Sequence, residues 1–234
     1  MKYELILFKR KCVNREPPQC RDIKRLIHWC NCFHEAGFVT PYKDLTSEQR
    51  KIREKFMEKI PQSGSDGNLS FRINNNEFII TGSQLPSKKN LKRDDFALVH
   101  SCKYEGNMCE VEYSGVVPPS SETMLHDLLY KKLPYVNAIF HGHDDIGLLI
   151  VDKLIKMNVS PDLLNGVVTR NAPKPGTRET PDAVLDVVGD NVKYVLILGH
   201  GFVSFGRSVE EVGKIALKNG ERLRTQAKKL GILK

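Results

Sequence analysis

Three histidines have the residue type and the spacing that a metal site needs. His141 and His143 stand two residues apart at the end of an apolar run. On an extended backbone, residues two apart project from the same face of the strand. His200 follows a second apolar run, residues 194–198, and lies between two glycines. Three neutral imidazoles with an open fourth position suit a catalytic zinc ion. The sequence therefore predicts a mononuclear Zn²⁺ site formed by His141, His143 and His200.

A second group of soft ligands occurs nearer the N-terminus, within a segment with helical periodicity: His28, Cys30, Cys32 and His34. On a helix, residues two apart point in different directions, so these side chains are not expected to converge on one ion. His100 and His126 have no comparable setting. We interpret all the histidines outside the predicted triad as structural.

Several helices are expected around these ligands. Residues 21–37 carry apolar side chains at helical spacing, and Gly37 is placed to end that helix. A second helix is predicted from Thr46, which has capping-box spacing to Gln49, through Ile60. Two helices would thus precede the sheet. Further helices are predicted at 122–132, at 144–157 and after Ser208, where Ser208 and Glu211 have the spacing of another capping box.

Short β-type runs between turn residues predict the strands: 69–73, 78–81, 96–101, 110–113, 136–141, 194–198 and 202–205. The proline- and glycine-rich stretch before residue 194 is expected to be irregular. Strands placed between and among helices predict one α/β domain over residues 1–234. We expect a three-layer sandwich, in which helices flank a central, mainly antiparallel sheet.

Composition narrows the function classes. A formal net charge of +8 favours an anionic partner, either nucleic acid or a phosphorylated metabolite. We find no cluster of aromatic and basic residues for base stacking, so no nucleic-acid partner is expected. The lysine-rich segments 51–59 and 214–229 are interpreted as solvated helix faces. Apolar runs too short for a bilayer, an opening without a cleavage-site pattern and six cysteines interpreted as thiols favour a cytoplasmic protein.

Motifs distributed along residues 45–230 resemble the class II aldolase/adducin family, the family of fuculose phosphate aldolase. In chain order they are Gly67-Asn68-Leu69-Ser70-Phe71-Arg72, Ile80-Thr81-Gly82, Pro119-Ser120-Ser121-Glu122, His141-Gly142-His143, Pro175-Gly176-Thr177-Arg178-Glu179 and Gly199-His200-Gly201. Each motif alone is weak, but the ordered set is specific. Residues 1–44 have no counterpart in this pattern and are interpreted as a divergent N-terminal extension.

The resemblance implies an α/β sandwich that assembles into a homotetramer with active sites at subunit interfaces. It also implies one zinc ion per subunit, held by the three histidines, with Glu122 as the catalytic acid/base. The same comparison implies a phosphate-binding cradle formed by Gly67, Asn68, Thr81, Gly82, Ser120 and Ser121. Hydroxyls at a helix N-terminus and backbone N–H groups at glycine turns are suitable donors to a phosphate.

The function implied is a zinc-dependent lyase that cleaves a small phosphorylated ketose through a metal-stabilised enediolate. Family members with related sites suggest two alternatives, a sugar-phosphate 4-epimerase and a methylthioribulose phosphate dehydratase. A non-catalytic adducin-like binding protein is a further alternative, but the three histidines and Glu122 favour an enzyme. Asp144 and Asp145 stand where the family commonly has proline and are expected to add negative charge near the metal. Residues 144–174 contain no tyrosine, although the aldolase uses one from this region.

Overall fold

One mixed sheet forms the centre of the molecule. A computed structural model describes residues 7–56, 64–105, 108–157 and 167–231. The strands within these residues are β1 (Leu7–Asn14), β2 (Asn68–Arg72), β3 (Phe78–Thr81), β4 (Phe96–Glu105), β5 (Met108–Ser114), β6 (Ala138–Gly142), β7 (Val167–Val168), β8 (Tyr194–Ile197) and β9 (Gly201–Gly206). Their order across the sheet is β1-β5-β4-β3-β2-β6-β9-β8-β7. Only the two edge pairs, β1 with β5 and β7 with β8, are parallel, so the sheet is mainly antiparallel, as predicted.

Helices cover both faces of this sheet: α1 (Ile23–Glu35), α2 (Ser47–Phe56), α3 (Thr123–Lys132), α4 (Asp145–Lys156), α5 (Glu179–Leu185) and α6 (Val209–Lys229). Every residue of β6, β8 and β9 is buried. On β6, Phe140 packs into an apolar cluster with α1, α4 and α6, whereas the adjacent Ile139 packs with α3 and α5 on the other face. This alternation confirms the predicted three-layer sandwich.

The predicted capping boxes have different outcomes. At the start of α2, the Thr46 N–H donates to Gln49 Oε1 (3.0 Å) and the Gln49 N–H donates to Thr46 Oγ1 (3.2 Å), which is the complete motif. The predicted end of this helix at Ile60 lies outside the described residues. At the start of α6, Ser208 Oγ accepts the Glu211 N–H (3.1 Å), but the Glu211 carboxylate binds the Arg207 N–H instead. Only half of the second capping box is therefore formed.

Two predictions about the elements are wrong. A strand, β1, precedes α1, although two helices were expected before the sheet. This edge strand pairs with β5, and ion pairs such as Lys9–Glu110 (3.1 Å) and Lys11–Glu112 (2.8 Å) join the two strands. Because most of its residues are exposed, β1 carries no apolar alternation. The stretch before residue 194 that was predicted to be irregular contains β7 and the seven-residue helix α5. Elements this short give little periodic signal.

None of the helices in the part of the chain that the structure describes combines the length and the apolarity needed to cross a bilayer.

Candidate metal centre

The three predicted ligands converge at one end of the β6–β9 strand pair. His141 lies in β6 and pairs with Val203 of β9, and His143 follows β6 directly. His200 lies in the tight turn between β8 and β9, with its N–H bonded to Ile197 O (3.0 Å). Because β6 and β9 are antiparallel, the end of one strand meets the start of the other. One nitrogen from each imidazole lies within 4.8 Å of the others, and all three residues are buried.

The hydrogen bonds of the ring nitrogens show whether the triad suits a metal ion. His141 Nδ1 lies 2.7 Å from the backbone oxygen of Phe202 and donates to it, which leaves Nε2 as the free lone pair. His141 Nε2 is buried without any hydrogen-bond partner, as are Nδ1 of His143 and Nδ1 of His200. Buried polar atoms are nearly always paired. A zinc ion held by the three imidazoles would give His141 Nε2 the partner that it lacks, so the residues fit the metal that the sequence predicts.

Burial keeps these imidazoles neutral, which is the form that binds a metal. Desolvation lowers the pKa of His141 to about 4, against the opposing effect of the Phe202 carbonyl. Desolvation, followed by the proximity of His141, holds the pKa values of His143 and His200 well below the usual value. No proton therefore has to be displaced from these rings near neutral pH.

Gly142, between the two strand histidines, has no side chain, but the space this leaves is not on the side of the triad. A Cβ at this position would instead lie 2.8 Å from Cζ of Phe202 and 3.1 Å from Cβ of Phe38. Alternate residues of a strand point to opposite faces. Gly142 therefore faces away from the triad and makes room for the aromatic cluster beneath it.

The two aspartates after His143 do not leave uncompensated charge near the triad, contrary to the sequence-based expectation. Asp144 caps α4 through the Gly147 N–H (3.1 Å) and pairs with Arg224 (3.3 Å). Asp145 pairs with Arg53, whose Nε lies 2.7 Å from Asp145 Oδ1. The interpretation of residues 51–59 as a solvated face is wrong for Arg53, which is only 1 % exposed and pairs with the carboxylates of Asp66 and Asp145.

The residues predicted to bind phosphate come from three segments that meet beside the triad. Asn68 pairs with His141 across β2 and β6. Thr81 Oγ1 accepts the Leu69 N–H (3.3 Å), and Thr81 O accepts the Ser120 N–H (3.2 Å). Gly82 forms a β-bridge with Pro119, the residue before Ser120. The structure thus brings together the segments 67–68, 81–82 and 120–121, although they are far apart in the sequence.

The available donors in this region, here called the anion pocket, differ from those expected. The pocket comprises Gly67, Asn68, Thr81, Gly82, Ser120 and Ser121. The Gly82 N–H already donates to Asp95 O (2.8 Å), so this amide cannot bind a phosphate. The hydroxyls of Thr81 and Ser120 act as acceptors in the described hydrogen bonds, which leaves their O–H groups able to donate. Ser121 is exposed. Hydroxyls are therefore the better candidates for contact with an anion.

Gly67 allows the tight backbone turn that precedes β2. Its φ of +69° lies in the left-handed region, and a Cβ would lie 2.7 Å from the carbonyl oxygen of His141. A side chain at this position would therefore push β2 away from the strand that carries the first two ligands.

Glu122 is the N-cap residue of α3, directly after the anion pocket. The residue as a whole is half-buried, yet its carboxyl group is withdrawn from water. Desolvation raises the pKa of Glu122 to about 7, although a hydrogen bond from the Gly176 N–H acts in the opposite direction. A carboxyl group with such a pKa can take up and release a proton near neutral pH. The contact also connects the Pro175-Gly176-Thr177 segment with the start of α3.

His126, interpreted from the sequence as structural, joins α3 to the strands beneath the anion pocket. Its Nε2 lies 2.5 Å from Asn68 Oδ1 and its Nδ1 lies 2.6 Å from Ser70 Oγ. Desolvation lowers its pKa well below the usual value, and His141 adds to this effect. Because Asn68 pairs with His141, His126 holds Asn68 next to the triad. This role agrees with the structural interpretation, although the sequence does not indicate that Asn68 and Ser70 are its partners.

A family model described as "Class II Aldolase and Adducin N-terminal domain" matches residues 51–226, which is most of the chain. The fold is that of a layered α/β protein with a histidine triad at the sheet end. The chain belongs to the class II aldolase and adducin N-terminal domain family.

Among curated relatives, the chain is similar to the methylthioribulose-1-phosphate dehydratase of Yersinia enterocolitica, with 27% identity over 169 residues. That match covers 62% of this chain and 73% of the relative. It is also 27% identical to the 3-oxo-tetronate 4-phosphate decarboxylase of Escherichia coli over 207 residues, 85% of this chain and 91% of the relative.

The chain is also similar to solved structures, but at sequence identities so low that the similarity supports only the fold. An L-fuculose 1-phosphate aldolase from Glaciozyma antarctica superposes with a TM-score of 0.59 at 15% identity, over 94% of this chain and 80% of that one. A sugar-phosphate aldolase from Thermotoga maritima superposes with a TM-score of 0.51 at 21% identity, over 80% of this chain and 98% of that one.

Burial of neutral histidines predicts that the metal-free protein loses stability in mild acid. Where the folded pKa lies below the unfolded value of about 6.5, the unfolded chain binds more protons, so stability is lost as pH falls through the range from 6.5 to 4. Urea unfolding should show that the metal-free wild type loses at least about 2 kcal/mol more between pH 7 and pH 5 than a His143→Gln/His200→Gln variant. Because the variant retains Glu122 and the aspartates, the contribution of these groups cancels when the two proteins are compared. Equal losses in the two proteins would contradict the assignment of buried neutral rings.

Proposed function

We propose that this protein is a zinc-dependent lyase that acts on a small phosphorylated ketose, most simply by aldol cleavage. The observation that carries the proposal is the convergence of three buried neutral imidazoles, one nitrogen of each lying within 4.8 Å of the others. Structural sites usually have four protein ligands, whereas catalytic sites have three and an open position. Within the described residues, these three histidines are the one group with metal-binding geometry, which supports a catalytic ion.

Different residues of the chain would have separate roles in binding and converting the substrate. A bound zinc ion would supply Lewis-acid polarisation of a substrate oxygen. The hydroxyls of Thr81, Ser120 and Ser121 would hold the phosphate and so fix the position of the carbon chain. Glu122 would exchange a proton with the substrate, for which a pKa of about 7 is well suited. The homotetramer with active sites between subunits is also a proposal, supported by the family resemblance.

Dehydration of a phosphorylated ketose is a second candidate. The curated relative that is named a methylthioribulose-1-phosphate dehydratase is 27% identical to this chain. The segment 144–174 also lacks the tyrosine that the resemblance assigns to an aldolase. In a dehydration, a base removes the proton next to the carbonyl, and the hydroxyl on the following carbon takes up that proton and leaves as water. Glu122 could remove this proton and deliver it to the leaving hydroxyl, so no tyrosine acid is required.

A panel of phosphorylated ketoses separates these reactions. We expect the zinc-loaded protein to convert at least one ketose phosphate, and unphosphorylated ketoses to react at least about tenfold more slowly because the anion pocket is unused. Product analysis by NMR should distinguish a released aldehyde, a dehydrated ketone and a 4-epimer. The absence of turnover with every compound would favour a non-catalytic binding protein.

Zinc content tests the ligand set directly. Purified protein should contain about one zinc ion per chain, and His200→Ala should lose it because two imidazoles alone bind zinc weakly. Metal analysis by mass spectrometry after dialysis is the measurement. His28→Ala is the matched control, since His28 is exposed on α1 and lies outside the triad. Unchanged zinc in His200→Ala would remove His200 from the site.

Replacement of Glu122 by glutamine should separate chemistry from metal binding. We expect Glu122→Gln to retain zinc but to lower kcat at least about a hundredfold, because the amide cannot transfer a proton. Whether Glu122 acts as base or acid, the pH dependence of the wild-type rate should show a group that titrates near pH 7, and this group should vanish in the variant. Glu221→Gln, an exposed position on α6, is the control. A near-normal rate would exclude Glu122 from the mechanism.

A further inference from the structure

A buried ion network lies behind His143. Arg53 extends from α2 into the interior, where its Nε lies 2.7 Å from Asp145 Oδ1 and its Nη2 lies 3.2 Å from Asp145 Oδ2. Its Nη1 donates to Asp66 Oδ2. The guanidinium thus joins two segments that are distant in sequence. Asp66 precedes the Gly67 turn and the anion pocket, and Asp145 follows the His141-Gly142-His143 motif.

Asp66 also faces a ring of the triad. Its Oδ2 lies 3.7 Å from Nδ1 of His143. Among the described residues, no other carboxylate lies within 4.0 Å of a nitrogen of the triad. His143 Nδ1 is itself buried and has no hydrogen-bond partner. This nitrogen therefore lacks the partner that His141 Nδ1 finds in the Phe202 carbonyl.

The turn that carries Asp66 is held from a second side. Lys88, which is 2 % exposed, donates to Ser65 Oγ (3.0 Å) and to Ser65 O (3.3 Å). Arg53 and Lys88 thus fix residues 65 and 66 from two different segments. Burying two cations beside one turn carries a desolvation penalty that apolar side chains would avoid. Their presence therefore indicates that the position of this turn is important.

We propose that Asp66 is a positioning residue for His143: its carboxylate accepts the Nδ1–H and presents Nε2 to the metal, while Arg53 holds the carboxylate in place. Carboxylate–histidine–metal arrangements fix the tautomer and the orientation of the ring. A contact of 3.7 Å is longer than a hydrogen bond, so the carboxylate must approach the ring by less than about 1 Å. The inference rests on the proposed metal site and adds a residue that the sequence motifs do not include.

Metal affinity of two matched variants tests the inference. Asp66→Asn and Asp145→Asn each remove one charge from the same arginine at nearly constant volume, but only Asp66 faces His143. Competition with a chromophoric chelator should show zinc affinity reduced about 10- to 100-fold in Asp66→Asn and by less than about threefold in Asp145→Asn. Equal losses in the two variants, or no loss in Asp66→Asn, would overturn the inference.

A zinc-loaded crystal structure of the wild type keeps the test decisive if Asp66→Asn does not fold. We expect zinc on Nε2 of His143 and Asp66 Oδ2 within about 3.2 Å of Nδ1. Zinc on Nδ1, or a carboxylate turned away from the ring, would contradict the inference. The two failures are distinct. A wild type without zinc would refute the proposed function, whereas a zinc-loaded wild type with an indifferent Asp66 would refute only the positioning role.

Discussion

The structure depends on the burial of three imidazoles whose nitrogens the polypeptide does not fully satisfy. Each unpaired buried polar atom costs about 1 to 3 kcal/mol. The surrounding structure keeps the rings in place despite that cost. The Phe202 carbonyl orients His141, and the backbone N–H of His143 is bound to Phe38 O (2.8 Å). A bound metal ion would turn this cost into binding free energy, because the rings are already neutral and confined.

The charges around the triad are compensated mainly by pairing. Asp144 and Asp145 follow the ligands directly, yet Arg224 and Arg53 neutralise them inside the protein. Asp66 shares Arg53 with Asp145. The three carboxylates are therefore already paired with guanidinium groups. Lys88 is different, since no carboxylate within the described residues lies in ion-pair range of its ammonium, and desolvation lowers its pKa to about 8.

The reactions considered for this site have most of their chemical requirements in common. Cleavage, epimerisation and dehydration all require a polarised carbonyl and a group that moves protons near neutral pH. Glu122 has the necessary proton affinity because its carboxyl group is desolvated, and Gly176 supplies the opposing hydrogen bond. The reaction type is then decided by how the leaving group is protonated or expelled. The relatives named dehydratase and decarboxylase are consistent with a family whose members differ in that step.

The sequence alone determined the type of most main elements and which three histidines come together. Apolar periodicity is local, so the central strands and α1 to α4 could be predicted, and His-x-His at a strand end needs only the two-residue repeat of a strand. The sequence could not reveal β1, because an exposed edge strand needs no apolar alternation. Nor could it reveal that Arg53 is buried, that Gly142 serves an aromatic cluster, or that Gly176 reaches Glu122. These facts follow from contacts between segments distant in the chain. Burial and pKa depend on the groups that surround a side chain in space, and only the tertiary structure fixes those groups.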